Sequence, residues 1–203
     1  MAKIIRIHPD NPQENLIDEV VKTLNSGGLI IYPSDTVYAL GCNIFDIRAM
    51  ERLAAIKKIK LAKAQFSIIC NDLGHLSTFT RPIDTPVFRL LKSKIPGPFT
   101  FILEAGKSLP LAYKGNKTVG IRVPDHVIPQ MIVEKLGHPI ASTSVKDEDE
   151  VIEYSTDPEL IAEKFGHLVD IVIDSGFGDN VASTIIDLTS GEPEIIRQGK
   201  GEL

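Results

Sequence analysis

The stretch LIIYPSDTVYALGC, residues 29–42, decides the fold. It opens with an apolar run that predicts a buried strand, and the run is stopped by Pro33, which fixes its own φ and lacks a backbone donor. Ser34, Asp35 and Thr36 then place two hydroxyls and a carboxylate at the tip of the strand. These side chains either cap a plain turn with their own hydrogen bonds or line a pocket. The stretch alone leaves both interpretations open.

Composition limits the class of protein. The chain has 203 residues, of which 43% are hydrophobic and 24% charged, as in soluble globular domains that build their own core. No run of eighteen apolar residues predicts a membrane span. Two cysteines make no disulfide framework, which indicates a reducing cytoplasm. A net charge of −5 argues against a protein whose whole surface binds nucleic acid, although it is compatible with a local basic patch.

Helical and strand-like segments alternate along most of the chain, which favours an α/β fold. The neighbouring strands predicted at 99–104 and 118–123, and at 183–188 and 194–197, have no helix between them, so part of the sheet should be antiparallel. We therefore predict α/β architecture with one twisted mixed parallel and antiparallel sheet flanked by helices. No repeat or linker divides the chain, which indicates a single domain over residues 1–203.

Two helix starts are predicted near the N-terminus. Asn11 followed by Pro12 is typical of a capped first helix, which Gly27 and Gly28 should end. A second amphipathic helix is expected from Asp46 to about residue 58.

Hydroxyl residues recur where predicted strands end. Besides the turn at 34–36, Ser-Thr-Ser at 142–144 follows one strand and Ser183-Thr184 opens another. Ligands of such sheets bind beyond strand ends, and successive backbone N–H groups and hydroxyls there can hold an anion. These segments should therefore converge on one site.

Two cationic features accompany the hydroxyls. Residues 57–63 carry four lysines, which form either a solvated face or a loop that holds phosphates. Arg122 lies within an apolar alternation, on one strand face with Thr118 and Gly120. Its guanidinium either pairs with a buried carboxylate or binds the carboxylate of a substrate.

Taken in order, six blocks over about residues 27–197 resemble the YrdC/YciO family, the threonylcarbamoyl-AMP synthases of tRNA modification. The blocks are YPSDTVYALG at 32–41, PGPFT at 96–100, IRVP at 121–124, STS at 142–144, STIIDL at 183–188 and IIR at 195–197. The resemblance implies a YrdC-like fold over the whole chain. It also implies ATP, L-threonine and bicarbonate as substrates, Mg²⁺ with the nucleotide, and tRNA or double-stranded RNA as a partner.

The resemblance also implies roles for individual residues. Those it assigns to substrate binding are Ser34, Thr36, Arg122, Ser142 and Ser183. Those it assigns to the nucleotide are Lys57, Thr118, Ser144, Lys146 and Arg197, with Lys57 also counted as catalytic. In this reading Arg122 pairs with the threonine carboxylate.

Three positions depart from the family's pattern. Ile59 stands where K-x-R has arginine, Lys146 where S-x-N has asparagine, and Ala39 where Y-G-L-G has its first glycine. A lysine does not reproduce the bidentate fork of an arginine. These departures indicate the YciO-like branch of the family.

Two classes of function follow. The first is an enzyme that forms threonylcarbamoyl-adenylate, or that acts on the threonylcarbamoyl group already on tRNA. The second is a non-catalytic RNA- or tRNA-binding protein that retains the nucleotide pocket. Its basic face would comprise Lys57, Lys58, Lys60, Lys63, Arg122, Lys146 and Arg197.

Overall fold

The strand that ends at Pro33 lies within a single large sheet. The structure is a computed structural model that describes residues 1–145 and 153–203. Within these ranges ten strands join in the order β1-β8-β2-β3-β7-β4-β6-β5-β9-β10. Their bounds are β1 Lys3–Arg6, β2 Leu29–Tyr32, β3 Ala39–Asn43, β4 Ser67–Ile69, β5 Phe99–Glu104, β6 Thr118–Arg122, β7 Ile140–Ser144, β8 Ile171–Asp174, β9 Thr184–Asp187 and β10 Glu194–Arg197.

The sheet is mixed, as predicted. Strand β8 runs parallel to β1 and β2, β4 is parallel to β6, and β5 is parallel to β9. The remaining neighbours are antiparallel, including the predicted pairs β5 with β6 and β9 with β10. Strand β3 was not predicted, although it forms a hairpin with β2 across the turn at Pro33.

Helices flank both faces of the sheet. Their bounds are α1 Glu14–Asn25, α2 Ile47–Ile56, α3 Leu73–Thr78, α4 Thr85–Lys94, α5 Val127–Leu136, α6 Glu153–Thr156 and α7 Pro158–Phe165, with 3-10 turns at Leu61–Lys63 and Leu111–Tyr113. In the described ranges, none is long and apolar enough to cross a bilayer.

Of the two predicted helix N-termini, one is confirmed and one is wrong. Helix α2 begins next to Asp46, as predicted, and the Asp46 carboxylate caps it by accepting from the backbone N–H groups of Arg48 and Ala49. The predicted cap at Asn11 was wrong, because α1 begins after Gln13, which makes no side-chain capping bond.

The core has two layers. Helices α1 and α5 cover one face of the sheet with fully buried side chains such as Ile17 and Ile132. On the opposite face a larger apolar layer includes α2 and α7. Cys42 and Cys70 are buried free thiols, and burial raises the pKa of Cys42 to about 12. Such thiols are structural rather than reactive.

A close contact fixes the centre of the sheet. The Tyr32 ring on β2 lies over Gly41 on β3, and Gly41 pairs in turn with Ser142 on β7. A Cβ at Gly41 would lie 2.9 Å from Cε1 of Tyr32 and 3.3 Å from Cδ1 of Ile140. The missing side chain therefore makes room for the tyrosine ring.

We expect Gly41→Ala to lower the free energy of unfolding by about 1–3 kcal/mol, because the new methyl must displace a packed ring. Urea denaturation measures the change. The control is Gly74→Ala in α3, where the nearest contact to a new Cβ is a single carboxylate oxygen at 3.3 Å. If both variants are equally stable, the contact at Gly41 is not restrictive.

Candidate functional site

An open cleft lies on the sheet face that α1 and α5 cover only in part. Register places Ser142 opposite Ser67 and Gly41, so these small residues form a row across β3, β7 and β4. A cavity of about 240 Å³ opens above this row. The polar side chains that line it are Gln65, Ser67, Thr100, Arg122, Ser142, Thr143, Ser144, Ser183 and Arg197.

A second cavity of about 510 Å³ adjoins the first, and the two share Gln65, Ser67, Thr100 and Ile185 as lining residues. It extends along β6 past Gly120 to Thr118. The predicted common face of Thr118, Gly120 and Arg122 is therefore the floor of one continuous cleft.

Arg122 is held from behind by the turn that follows β2. Its Nη2 donates to Oδ1 of Asp35 at 2.8 Å and to Oγ1 of Thr36 at 2.9 Å. The side chains of Arg122 and Asp35 are both 9% exposed. Arg122 thus pairs with a buried carboxylate, which was one of its two predicted roles. However, Nε of Arg122 is buried and has no hydrogen-bond partner in the described part of the chain.

The turn itself accounts for Ser34. Its hydroxyl donates to the carbonyl of Val37 at 2.8 Å and accepts from the backbone N–H of Thr36 at 3.2 Å. Ser34 lines an outer cavity on the other side of the turn and not the cleft. Ser34 therefore closes the turn. Thr36 is fully buried and lies behind Arg122.

The turn is also anchored from the C-terminus. Lys200 donates through Nζ to the backbone carbonyl of Asp35 at 2.8 Å and forms an ion pair with Asp179 at 2.7 Å. The ammonium of Lys200 holds the pKa of the Asp179 carboxyl below its usual value. The C-terminal segment thus stabilises the turn that positions Arg122.

Two pairs of hydroxyls lie in or next to the cleft. Ser142 and the buried Tyr32 hydroxyl lie 2.6 Å apart, and Thr100 and Ser183 lie 2.8 Å apart. Ser144 lies at the end of β7, where its carbonyl accepts from Nζ of Lys57 at 3.4 Å. Ser142 and Ser144 therefore line the cleft, as predicted, whereas Lys57 contacts the Ser144 carbonyl without being among the residues that line the cavity.

Arg197 supplies a second guanidinium. Its Nη2 donates to the carbonyl of Ser183 at 2.7 Å. Burial, followed by the charge of Arg122, lowers the pKa of Arg197. Two cations that face one cavity and repel each other favour an anionic ligand.

The remaining predicted positions lie either in the loop after α2 or outside the described residues. Ile59 is 43% exposed in the loop after α2. Lys58, Lys60 and Lys63 are exposed in the same loop. Lys146 lies outside the described residues.

Sequence reasoning missed three contributors. Tyr32 was considered only as part of the YPSDTVYALG block and Thr100 only as part of the PGPFT block, and no role was predicted for Lys200. The alternation along β5 could have placed Thr100 on the face of Arg122, because both belong to a period-two pattern. Contacts such as Lys200 with the turn join residues 165 positions apart, and local patterns do not encode them.

Known proteins resemble this chain in sequence and in fold. A family model described as Sua5_yciO_yrdC, Telomere recombination, matches residues 22–199. The crystal structure of Escherichia coli YciO is similar with 40% identity and a TM-score of 0.89, over 100% of this chain and 98% of that one. A threonylcarbamoyl-AMP synthase of Coxiella burnetii is 32% identical over 178 residues, 87% of this chain and 94% of the relative.

A further solved relative carries a ligand. The crystal structure of Pyrococcus abyssi Sua5 complexed with L-threonine is 29% identical, with a TM-score of 0.86, and the match covers 98% of this chain and 58% of that one. The fold, the ordered blocks and these similarities agree. The chain belongs to the Sua5/YciO/YrdC family.

Proposed function

We propose that the cleft binds L-threonine beside ATP and supports chemistry of the threonylcarbamoyl-AMP synthase type. The observation that carries the proposal is the Nε–H of Arg122, a buried donor without a partner in the described ranges, on a guanidinium that lines the cleft. A buried N–H without a partner is costly, and an oxygen of a bound carboxylate would satisfy it. The threonine complex of Pyrococcus abyssi Sua5 supports the choice of amino acid.

The two cavities suit two ligands. The smaller one, at about 240 Å³, is rich in hydroxyls and contains both guanidiniums, as a short polar amino acid requires. The larger, at about 510 Å³, continues along β6 to Thr118 and has room for a nucleoside. Phosphates would then lie in the smaller cavity beside Arg197 and Ser144, with Lys57 next to the Ser144 carbonyl.

The proposed reaction uses positioning and charge more than a protein nucleophile. The neutral amine of threonine would form a bond to the carbon of bicarbonate, whose C–OH bond would break, so that a carbamate forms and water, which carries the amine proton, leaves. A carbamate oxygen would attack the α-phosphorus of ATP, and the bond to the departing pyrophosphate would break. Arg197 would stabilise charge that develops on the phosphates, and Arg122 would hold the amino acid in place.

The described residues offer no group of three carboxylate, histidine or cysteine side chains for a metal ion. A Mg²⁺ ion that arrives with ATP would therefore rest mainly on the nucleotide's own phosphates and neutralise charge there.

The departures at Ile59 and Lys146 determine how fast this reaction runs. Isoleucine donates no hydrogen bond to phosphate, and the exposed lysines beside it are point charges rather than forks. We expect the wild type to turn over slowly, because part of the family's phosphate-binding charge is missing.

The double variant Ile59→Arg with Lys146→Asn should restore turnover. We expect a gain of at least ~10-fold, about 1.4 kcal/mol in the barrier. The measurement is pyrophosphate release that requires both threonine and bicarbonate. The single variants serve as controls, since residues that act on one phosphate are not additive. A wild type as fast as the double variant would show that the departures cost nothing, and no threonine-dependent release from any variant would reject the synthase proposal.

Removal of Arg122 should weaken threonine binding far more than nucleotide binding. Since Arg122→Ala alone leaves the Asp35 carboxylate buried and unpaired, we choose Arg122→Ala in an Asp35→Asn background, with Asp35→Asn alone as the control. A lost charge-assisted contact predicts a rise of about 10- to 100-fold in the Kd of threonine by calorimetry. Equal losses for threonine and ATP would mean that Arg122 has only a structural role.

RNA binding is the second candidate function, and a specific observation favours it. Lys58, Lys60 and Lys63 are exposed, and within the described ranges none of them pairs with a carboxylate. Lysines in such a loop can neutralise phosphates of a nucleic acid despite the net charge of −5.

Substitution of Lys58, Lys60 and Lys63 by Gln should weaken retention of double-stranded RNA on filters. The slope of log affinity against log salt should fall by about 0.9 for each lost phosphate contact. The matched control replaces Lys22, Lys92 and Lys164, which lie on three separate helices. If the two triple variants bind RNA alike, the loop is not an RNA-binding surface.

A further inference from the structure

Tyr32 is a buried polar side chain next to the cleft that the proposed reaction does not use. It is 1% exposed, at the last position of β2. Its hydroxyl lies 2.6 Å from Oγ of Ser142, and this is its one hydrogen-bond partner in the part of the chain that the structure describes. Burial raises the pKa of Tyr32 to about 12, so its hydroxyl keeps its proton at neutral pH.

The direction of this hydrogen bond follows from the supply of acceptors. Each hydroxyl has one proton to donate. If Ser142 donated to Tyr32, the tyrosine proton would have no acceptor in a buried place, at the cost of an unmade hydrogen bond. If Tyr32 donates, each of the two protons has an acceptor. The tyrosine proton binds Oγ of Ser142, and Ser142, which lines the cavity, can direct its own proton to a ligand there. The arrangement therefore favours Tyr32 as the donor.

The backbone makes this contact possible. Strand β3 separates Tyr32 on β2 from Ser142 on β7, and Gly41 is the residue of β3 that pairs with Ser142. Because Gly41 has no side chain, the tyrosine ring can cross β3. The ring is packed among buried residues and has little rotational freedom, so the position of its hydroxyl is fixed.

We infer that Tyr32 is a positioning residue that holds the Ser142 hydroxyl as a hydrogen-bond donor toward an anionic oxygen of the amino-acid substrate. The inference rests on the proposed function and adds a specific task to it. With one of its two acceptor lone pairs occupied by the tyrosine proton, Ser142 keeps its own proton free to donate into the cleft. A carboxylate or carbamate oxygen accepts such a bond, whereas an ammonium group cannot.

The test is Tyr32→Phe, which removes one oxygen and keeps the ring. We expect the Kd of L-threonine, measured by calorimetry, to rise about tenfold. We expect a similar rise for Ser142→Ala, and the double variant should be no worse than Ser142→Ala alone, because Tyr32 acts through Ser142. The Kd of ATP should change less than twofold in all three.

Tyr38→Phe is the matched control. Its hydroxyl donates a partly buried hydrogen bond to the carbonyl of Gly176 at 2.8 Å, but Tyr38 packs on the face of the sheet opposite to the cleft. This variant should lose stability and keep the threonine affinity. A wild type that does not bind threonine would reject the proposed function itself. If the wild type binds threonine, two results would overturn the role of Tyr32. One is a Tyr32→Phe variant with the same threonine affinity as Tyr38→Phe. The other is a double variant in which the losses of affinity of Tyr32→Phe and Ser142→Ala add.

Discussion

The buried pair of Arg122 and Asp35 is the interaction on which the site depends. It joins the C-terminal end of β6 to the turn after β2, two parts of the sheet separated by three strands. Loss of one partner from such a pair costs about 3–5 kcal/mol, because the other charge stays buried. The turn sequence is therefore constrained. Pro33 ends the strand, Asp35 and Thr36 meet the guanidinium, and Ser34 closes the turn.

The same pair determines how Arg122 is presented to the cleft. Asp35 and Thr36 occupy one nitrogen of Arg122 and leave its Nε for another partner. Hydroxyls from four strands or their ends line the same cavity, and Arg197 adds positive charge from the last strand. A site of this kind orients and neutralises an anion, which is the requirement of phosphoryl chemistry.

Much of the fold could be predicted from local patterns. Apolar alternation and helix signals identified a mixed sheet flanked by helices, and Asp46 marked the start of α2. Strand β3 was missed, because its five residues are all buried and show no alternation. Within the site, hydroxyls at strand ends identified Ser142 and Ser183. The position of Ser34 outside the cleft depends on the direction of one turn, and the contacts of Tyr32 and Lys200 depend on strand order. Neither is encoded in local sequence.

The most direct measurement is a crystal structure of the protein with L-threonine bound. The account predicts the amino acid in the smaller cavity, with a carboxylate oxygen about 3 Å from Nε of Arg122 and another anionic oxygen within hydrogen-bond distance of the Ser142 hydroxyl. Threonine bound elsewhere, or bound with its ammonium group toward Arg122 and Ser142, would contradict it.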